Sequence, residues 1–132
     1  MKKILIIHGP NMNLIGIKSK ENGQTITLGK INTAIKNLAS ENNIKLKILQ
    51  THSQSKANKF LHVNRNIALG VLLCPQSWND FGFTIKESIE ILNMPYKTIQ
   101  FNNNNSIFSE IIINNNPIKA YLSALKELIK TI

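Results

Sequence analysis

Residues 1–16 read MKKILIIHGPNMNLIG, and they open the chain with an uninterrupted apolar run at 4–7. A run without polar alternation is typical of a strand that is buried on both faces, as in a parallel sheet. The Gly-Pro pair at 9–10 ends this run, because both residues interrupt regular backbone structure. Ligands of open α/β sheets bind beyond the carboxyl ends of such strands. We therefore expect a site near Asn11 and in the loop that continues to Gly23.

Strands and helices alternate along the rest of the chain. Short apolar or alternating runs predict further strands at 44–50, 70–75, 96–101 and 107–113. Apolar residues spaced by three and four predict helices at 28–41, 55–66, 83–92 and 117–132. The first of these helices has Thr27 as its expected N-cap. This order predicts a parallel sheet with helices on both faces, and we expect one domain over residues 1–132.

The chain is basic, with a formal net charge of +9 and a sequence pI near 9.9. Its lysines are scattered, and Arg65 is its only arginine, although arginine is favoured for phosphate and base recognition. The richness in Asn, Ile and Lys matches the drift that an AT-rich genome produces. We therefore do not expect nucleic acid as a partner; a nucleic-acid binder is a third functional class that rests on charge alone.

Several kinds of site and location have no support in the sequence. Cys74 is the only cysteine, the three histidines lack metal-ligand spacing, and Gly9 and Gly16 do not form a phosphate-binding pattern. We thus expect no metal and no cofactor. No apolar run is long enough to span a membrane, and no secretory signal is recognisable, so we expect a cytoplasmic protein without membrane contact.

The octapeptide at 9–16, GPNMNLIG, resembles the GPNLNLLG near the start of type II 3-dehydroquinate dehydratases, small enzymes of the shikimate pathway. The strand-ending Gln50-Thr51, Pro75, Pro95 and the AYLSAL at 120–125 also resemble this family, so that the similarity covers nearly the whole chain. The resemblance implies a flavodoxin-like doubly wound α/β fold with a five-stranded parallel sheet in the order 2-1-3-4-5. It further implies a homo-oligomer built from trimers, up to a dodecamer.

The resemblance also implies a reaction, the removal of water from 3-dehydroquinate through an enolate. In the family, a tyrosinate on the first loop takes the proton, and a nearby arginine lowers its pKa. An asparagine after the third strand helps to hold a water that stabilises the enolate. A histidine after the fourth strand, oriented by a glutamate, protonates the leaving hydroxyl. A second arginine and a second histidine hold the substrate.

Most of these positions carry other residues in this chain. The base position falls on Asn22, or on Gly23 if no gap is placed, and the acid position falls on Gln100. Lys18 occupies the position of the loop arginine, and Cys74 that of the asparagine. Neither a carboxamide nor a glycine exchanges protons usefully near neutral pH.

The substrate-holding positions are changed as well. Asp80 stands where the family has its second histidine, and its charge would repel a carboxylate. The segment with the second arginine has no counterpart between Asn103 and Ile111. An acid remains at Glu87, where the family places an aspartate that reaches a neighbouring subunit's site. The substrate-binding candidates are Asn11, Lys18, Cys74, Asp80, Glu87 and Asn102.

Two functional hypotheses remain. In the first, the protein has the family's fold and a degraded active site, has little or no dehydratase activity, and is retained as a scaffold or as a binder of a small ligand. In the second, it is still a 3-dehydroquinate dehydratase that uses substitute groups such as Lys18, Lys20 or His8.

Overall fold

The computed structural model describes residues 2–132, in which five parallel strands form one sheet in the order β2-β1-β3-β4-β5. The strands are β1 (Lys3–His8), β2 (Lys45–Gln50), β3 (Ala68–Cys74), β4 (Tyr96–Gln100) and β5 (Ile111–Ile113). Each pair of neighbours runs parallel. The predicted flavodoxin-like sheet is confirmed.

The described residues form five α-helices around the sheet: α1 (Ile15–Lys20), α2 (Leu28–Glu41), α3 (Gln54–Val63), α4 (Phe83–Leu92) and α5 (Pro117–Thr131). Helices α2 and α5 pack on one face, and α3 and α4 pack on the other. Thr27, Ser53 and Asn116 cap α2, α3 and α5 by accepting a hydrogen bond from a backbone N–H three residues later. Within the described part of the chain, no helix is both long and apolar enough to cross a membrane.

The first strand supplies both hydrophobic cores. Ile4 and Ile6 belong to the core under α2 and α5, whereas Leu5 and Ile7 belong to the core under α3 and α4, and all four are fully buried. Successive side chains of a strand point to opposite faces, so a strand between two helix layers must be apolar at every position. This requirement explains the uninterrupted run at 4–7.

The predicted loop between Asn11 and Gly23 is wrong in part, because its middle is the helix α1. The Ser19 hydroxyl bonds to both the backbone N–H and the backbone C=O of Ile26, at 2.8 and 3.1 Å. Ile15 and Ile26 are buried beside it. These hydrogen bonds and buried side chains hold the segment at 15–20 in a helical conformation.

The fifth strand is shorter than the predicted 107–113, because the chain before it covers the α3/α4 core. Phe108 is buried in that core, and the backbone N–H of Ile107 donates to the carbonyl of Asn79. Glu110 has a φ of 55°, which interrupts the extended backbone just before β5.

A buried hydrogen-bonded chain joins β1 to α2 and α5. His8 at the end of β1 is fully buried, with Nε2 2.8 Å from Asn32 Oδ1 and Nδ1 2.7 Å from the Tyr121 hydroxyl. Asn32 Oδ1 can only accept, so Nε2 carries the proton and Nδ1 accepts from Tyr121. Burial lowers the pKa of His8 from 6.5 to about 4, although the bond to Asn32 raises it. The imidazole is therefore neutral near pH 7.

We predict that this histidine makes folding sensitive to acid. Between about pH 6.5 and pH 4 the unfolded chain binds a proton at His8 that the folded chain does not bind, so stability falls as pH falls. The loss through His8 should reach about 3 kcal/mol near pH 4. Urea unfolding near pH 7 and near pH 4 measures it, with His8→Gln as the comparison because glutamine keeps one donor and one acceptor. An equal acid loss in both proteins would contradict the assignment.

A second prediction concerns the close approach of β1 and β3 at Gly9. Its backbone N–H donates to the Cys74 carbonyl at 2.9 Å, and a Cβ at this position would lie 2.6 Å from that oxygen. Gly9→Ala should therefore lower the free energy of unfolding by about 1–3 kcal/mol. Gly29→Ala is the matched control, since its Cβ would meet only Thr27 Oγ1 at 3.8 Å, and the helix should gain up to about 1 kcal/mol. If both variants unfold at similar urea concentrations, the backbone at Gly9 is not closely packed against the Cys74 carbonyl.

Candidate functional site

A cavity of about 400 Å³ opens at the carboxyl ends of β3 and β4. Its walls come from α1, from the turn at Gln76–Asn79 after β3, from the segment 100–105 that begins at the end of β4, and from the beginning of α5. This is the edge at which parallel α/β sheets bind ligands. The volume lies within the range of small-molecule sites.

The end of β3 contributes a buried thiol to the cavity lining. Cys74 Sγ donates to Met12 Sδ at 3.8 Å and also contacts the Tyr121 hydroxyl. Burial raises the pKa of the Cys74 thiol to about 12, although the Tyr121 bond and the Lys18 ammonium both lower it. Burial also raises the pKa of Tyr121 well above its usual value. Neither group is ionised near neutral pH, so the thiol is not an activated nucleophile.

The end of β4 contributes Gln100, whose side chain is 4% exposed. Its Nε2 donates to the backbone carbonyl of Asn102 at 2.7 Å and also to that of Asn104. Its Oε1 is buried and has no hydrogen-bond partner within residues 2–132. Gln100 therefore holds the loop after β4 with one end of its carboxamide and leaves an acceptor at the other.

Two residues beside the cavity have a left-handed backbone. Gln76 has a φ of 52° and donates through Nε2 to Met12 Sδ at 3.1 Å. Asn11 has a φ of 64°, and its backbone N–H donates to His52 Nδ1 at 3.1 Å. This conformation is uncommon for residues other than glycine, costs about 1–3 kcal/mol each, and concentrates at functional sites.

Most of the predicted site residues lie together in the folded chain. One cavity is lined by Lys18, Asn22, Cys74, Asp80, Gln100 and Asn102. Asn11 instead lines a smaller cavity of about 230 Å³, which shares Lys18 and Gln76 with the larger one. Glu87 is exposed on α4 and lines neither cavity. The residues that end or follow β3 and β4 therefore meet in the larger cavity, whereas Asn11 lines the smaller cavity next to it.

Sequence reasoning missed other residues of the lining. They are Ser19, Gln76, Ser77, Asn79, Asn104, Asn105 and Asn115. Asn104 and Asn105 belong to a run that composition alone attributes to drift. These asparagines could have been recognised from their position in the chain, because they follow the carboxyl end of a strand, where α/β sheets bind ligands.

The chemistry of the lining is dominated by carboxamides. Among the described residues of the lining, eight are Asn or Gln, Lys18 is the only cation and Asp80 is the only acid. Carboxamides donate and accept hydrogen bonds but carry no charge. Within residues 2–132, no three His, Cys, Asp or Glu side chains are grouped so that they could hold a metal ion. Most of the groups that line the cavity are therefore uncharged hydrogen-bonding groups.

Comparison with known sequences points to one enzyme family. The family model for class II dehydroquinase matches residues 2–129. A 3-dehydroquinate dehydratase of Caldanaerobacter subterraneus is 31% identical over 103 residues, which are 78% of this chain and 70% of the relative. A 3-dehydroquinate dehydratase of Endomicrobium trichonymphae is 26% identical, with 98% of both chains covered.

Solved structures agree with this at the level of the fold. The type II dehydroquinase of Butyrivibrio crossotus superposes with a TM-score of 0.87 at 18% identity and 97% coverage of both chains. That of Propionibacterium acnes gives 0.84 at 20% identity, with 98% of this chain and 97% of the other covered. The family model spans nearly the whole chain, and the sheet order is the one that the resemblance implied, so this chain belongs to the class II dehydroquinase family.

Proposed function

We propose that this protein is a class II dehydroquinase homologue that has lost most or all dehydratase activity and that binds a small ligand in the inherited cavity. The observation that carries the proposal is the chemistry of the family's base and acid positions. Asn22 and Gln100 line the cavity there, and both side chains are carboxamides. General acid and base catalysis each contribute about 10²–10⁴-fold, and a carboxamide supplies neither.

The charges in the cavity support the same conclusion about the substrate. 3-Dehydroquinate is a carboxylate, which enzymes hold best with arginine because its planar group forms paired hydrogen bonds. The lining contains one cation, Lys18, and one acid, Asp80. These charges offset each other, so the cavity offers little net attraction to an anion.

If the chain is still an active dehydratase, only one of the three candidate substitute residues remains as its base. Both ring nitrogens of His8 are engaged by Asn32 and Tyr121, and His8 does not line the cavity. Lys20 is exposed and lines neither this cavity nor the smaller one. Lys18 lines both, so it is the residue that an active enzyme would use as its base.

The test is the conversion of 3-dehydroquinate to 3-dehydroshikimate, followed by absorbance beside the Caldanaerobacter relative. We expect kcat/KM at least about 100-fold below that enzyme, the smallest loss that the missing acid or base predicts. Turnover within about tenfold, equal to about 1.4 kcal/mol in the barrier, would overturn the proposal. In that case Lys18→Met should abolish turnover, and Lys20→Met on the same helix should leave it unchanged.

We further propose that the chain is one domain and forms a trimer-based homo-oligomer in the cytoplasm. The assembly is supported by an exposed stripe on α4, in which Phe83, Glu87 and Ile91 recur at intervals of four, and the two apolar residues are 60% and 73% exposed. Exposed apolar stripes of this kind mark contact surfaces. Glu87 lies between them, at the position where the family reaches a neighbouring subunit.

Light scattering coupled to size exclusion tests the assembly. The unmodified chain should elute at a multiple of the 14.9 kDa subunit mass, and Phe83→Ser combined with Ile91→Ser should shift it toward the monomer. Ile17→Ser is the control, because Ile17 is 70% exposed but belongs to α1. A monomeric unmodified chain, or an equal shift in the control, would refute an α4 interface.

A further inference from the structure

Positive charge collects where β1 and β2 begin, around the turn at 64–67 that leads into β3. We call the five cations of this region the basic edge: Lys2, Lys3, Lys45, Lys47 and Arg65. Lys47 Nζ donates to Asn64 Oδ1 at 2.9 Å. Lys2 Nζ donates to the Asn66 carbonyl at 3.2 Å. None of the five cations forms an ion pair within the described part of the chain, so no carboxylate there neutralises them by direct contact.

Two lysines of the basic edge lie side by side. Lys3 of β1 is in register with Lys45 of β2, and residues in register on neighbouring strands share a face of the sheet. Lys47 follows on the same face, because alternate residues of a strand point the same way. Lysines on an edge strand discourage strand pairing between copies, but this does not account for Lys3, which lies on the inner strand β1. Neighbouring like charges repel each other, and a negatively charged partner relieves that repulsion.

The backbone of β2 has one side without a neighbouring strand, because β2 is the first strand of the sheet order. Thr51 donates its backbone N–H to the His8 carbonyl at 3.0 Å, so the odd-numbered residues of β2 direct their N–H and C=O groups toward β1. The N–H and C=O groups of Leu46, Ile48 and Gln50 therefore point away from the sheet. Within the described residues, no backbone hydrogen bond joins these groups to another element. An edge of this kind is a template for a further strand.

The two faces of β2 indicate which side chains such a strand would carry. On one face, Lys45 and Lys47 are exposed. On the other face, Leu46 and Ile48 are half-buried and pack against the core under α2 and α5. A strand paired with β2 places its own side chains beside these, alternately on the two faces. Acidic residues fit beside the lysines, and apolar residues fit beside Leu46 and Ile48.

Two other occupants fit this edge less well. A second copy of the chain, paired through its own β2, would bring Lys45 and Lys47 of both copies to one face, where like charges repel. Nucleic acid has no peptide groups that could pair with the N–H and C=O groups of the strand. The basic edge also has a single arginine, the residue that is favoured for phosphate and base recognition.

We propose that the β2 edge binds an extended acidic segment of a partner protein, which adds a sixth strand in which acidic and apolar residues alternate. The acidic side chains lie beside Lys45 and Lys47, and the apolar side chains lie beside Leu46 and Ile48. Main-chain hydrogen bonds supply affinity in this mode of recognition, and the alternating side chains supply specificity. This surface is separate from the cavity, so the inference does not depend on what the cavity binds.

Fluorescence anisotropy of labelled peptides with the unmodified full chain tests the proposal. The hexapeptide EVEVEV should bind at least about tenfold more tightly than EEEVVV, which has the same composition without the alternation; this ratio equals about 1.4 kcal/mol. KVKVKV, in which the charge is reversed, should not bind. Alternate residues of a strand direct their N–H groups to the same side. If EVEVEV is N-methylated either at its valines or at its glutamates, one version should therefore lose binding and the other should keep it.

Charge reversal on the strand is the matching test on the protein. Lys45 and Lys47 are exposed, so Lys45→Glu combined with Lys47→Glu should fold. This variant should bind EVEVEV at least about tenfold more weakly and should gain binding of KVKVKV. The matched control is Lys119→Glu combined with Lys126→Glu, which changes the net charge equally at exposed positions of α5, a helix that packs against β3, β4 and β5. It should bind EVEVEV within about twofold of the unmodified chain, because distant charges are screened.

Each of the following results would overturn the inference. Failure of EVEVEV to bind, or equal binding of EVEVEV and EEEVVV, would exclude recognition of the alternating pattern. Equal binding of the two N-methylated versions would exclude pairing through the backbone. Tighter binding of a single-stranded oligothymidylate than of EVEVEV would assign the basic edge to nucleic acid instead. These measurements use the unmodified chain, so they decide the question even if the charge-reversed variant does not fold.

Discussion

The hydrogen bond between His8 and Tyr121 joins the first strand to the last helix, and Cys74 of the cavity lining contacts the same tyrosine. A neutral imidazole has one donor and one acceptor, so its burial requires two partners of opposite kind. Asn32 and Tyr121 fill these roles from α2 and α5. The same hydroxyl contacts Cys74, so that one buried polar chain links the four elements α2, β1, α5 and β3. A histidine held in this way is structural and is not available to a substrate.

The site differs from the chain as a whole. The protein carries a net charge of +9, yet its cavity is lined by one lysine, one acid and eight carboxamides. A global charge describes the average surface and the solubility of a protein, while ligand choice depends on the few groups that face the ligand. Here most of those groups are uncharged, and the basic character of the chain lies elsewhere on the surface.

The asparagine run after β4 shows how a compositional feature becomes part of a site. Composition alone attributes the residues at 102–105 to drift, and an exposed polar loop needs no other explanation. In the folded chain, the carbonyls of Asn102 and Asn104 accept the two hydrogen bonds of Gln100, and Asn105 joins the lining. A run of this kind acquires a role because it follows a buried strand whose last residue can hold it.

Local sequence determined the architecture of this protein. The run at 4–7 required a strand between two helix layers, and Thr27 marked the beginning of α2. These features follow from burial and hydrogen bonding within a few residues, so they can be read without the fold. The octapeptide at 9–16 then pointed to the family, which the whole-chain match confirms.

Only the tertiary structure decided which polar side chains share the cavity. Residues 22, 74, 80 and 100 lie far apart in the chain and meet because β3 and β4 are neighbours whose carboxyl ends face α1. The helix at Ile15–Lys20 and the shortened β5 also depend on contacts made from a distance, by Ser19 with Ile26 and by Ile107 with Asn79. The unpartnered oxygen of Gln100 is of the same kind, because whether a buried acceptor is satisfied depends on groups that folding brings around it.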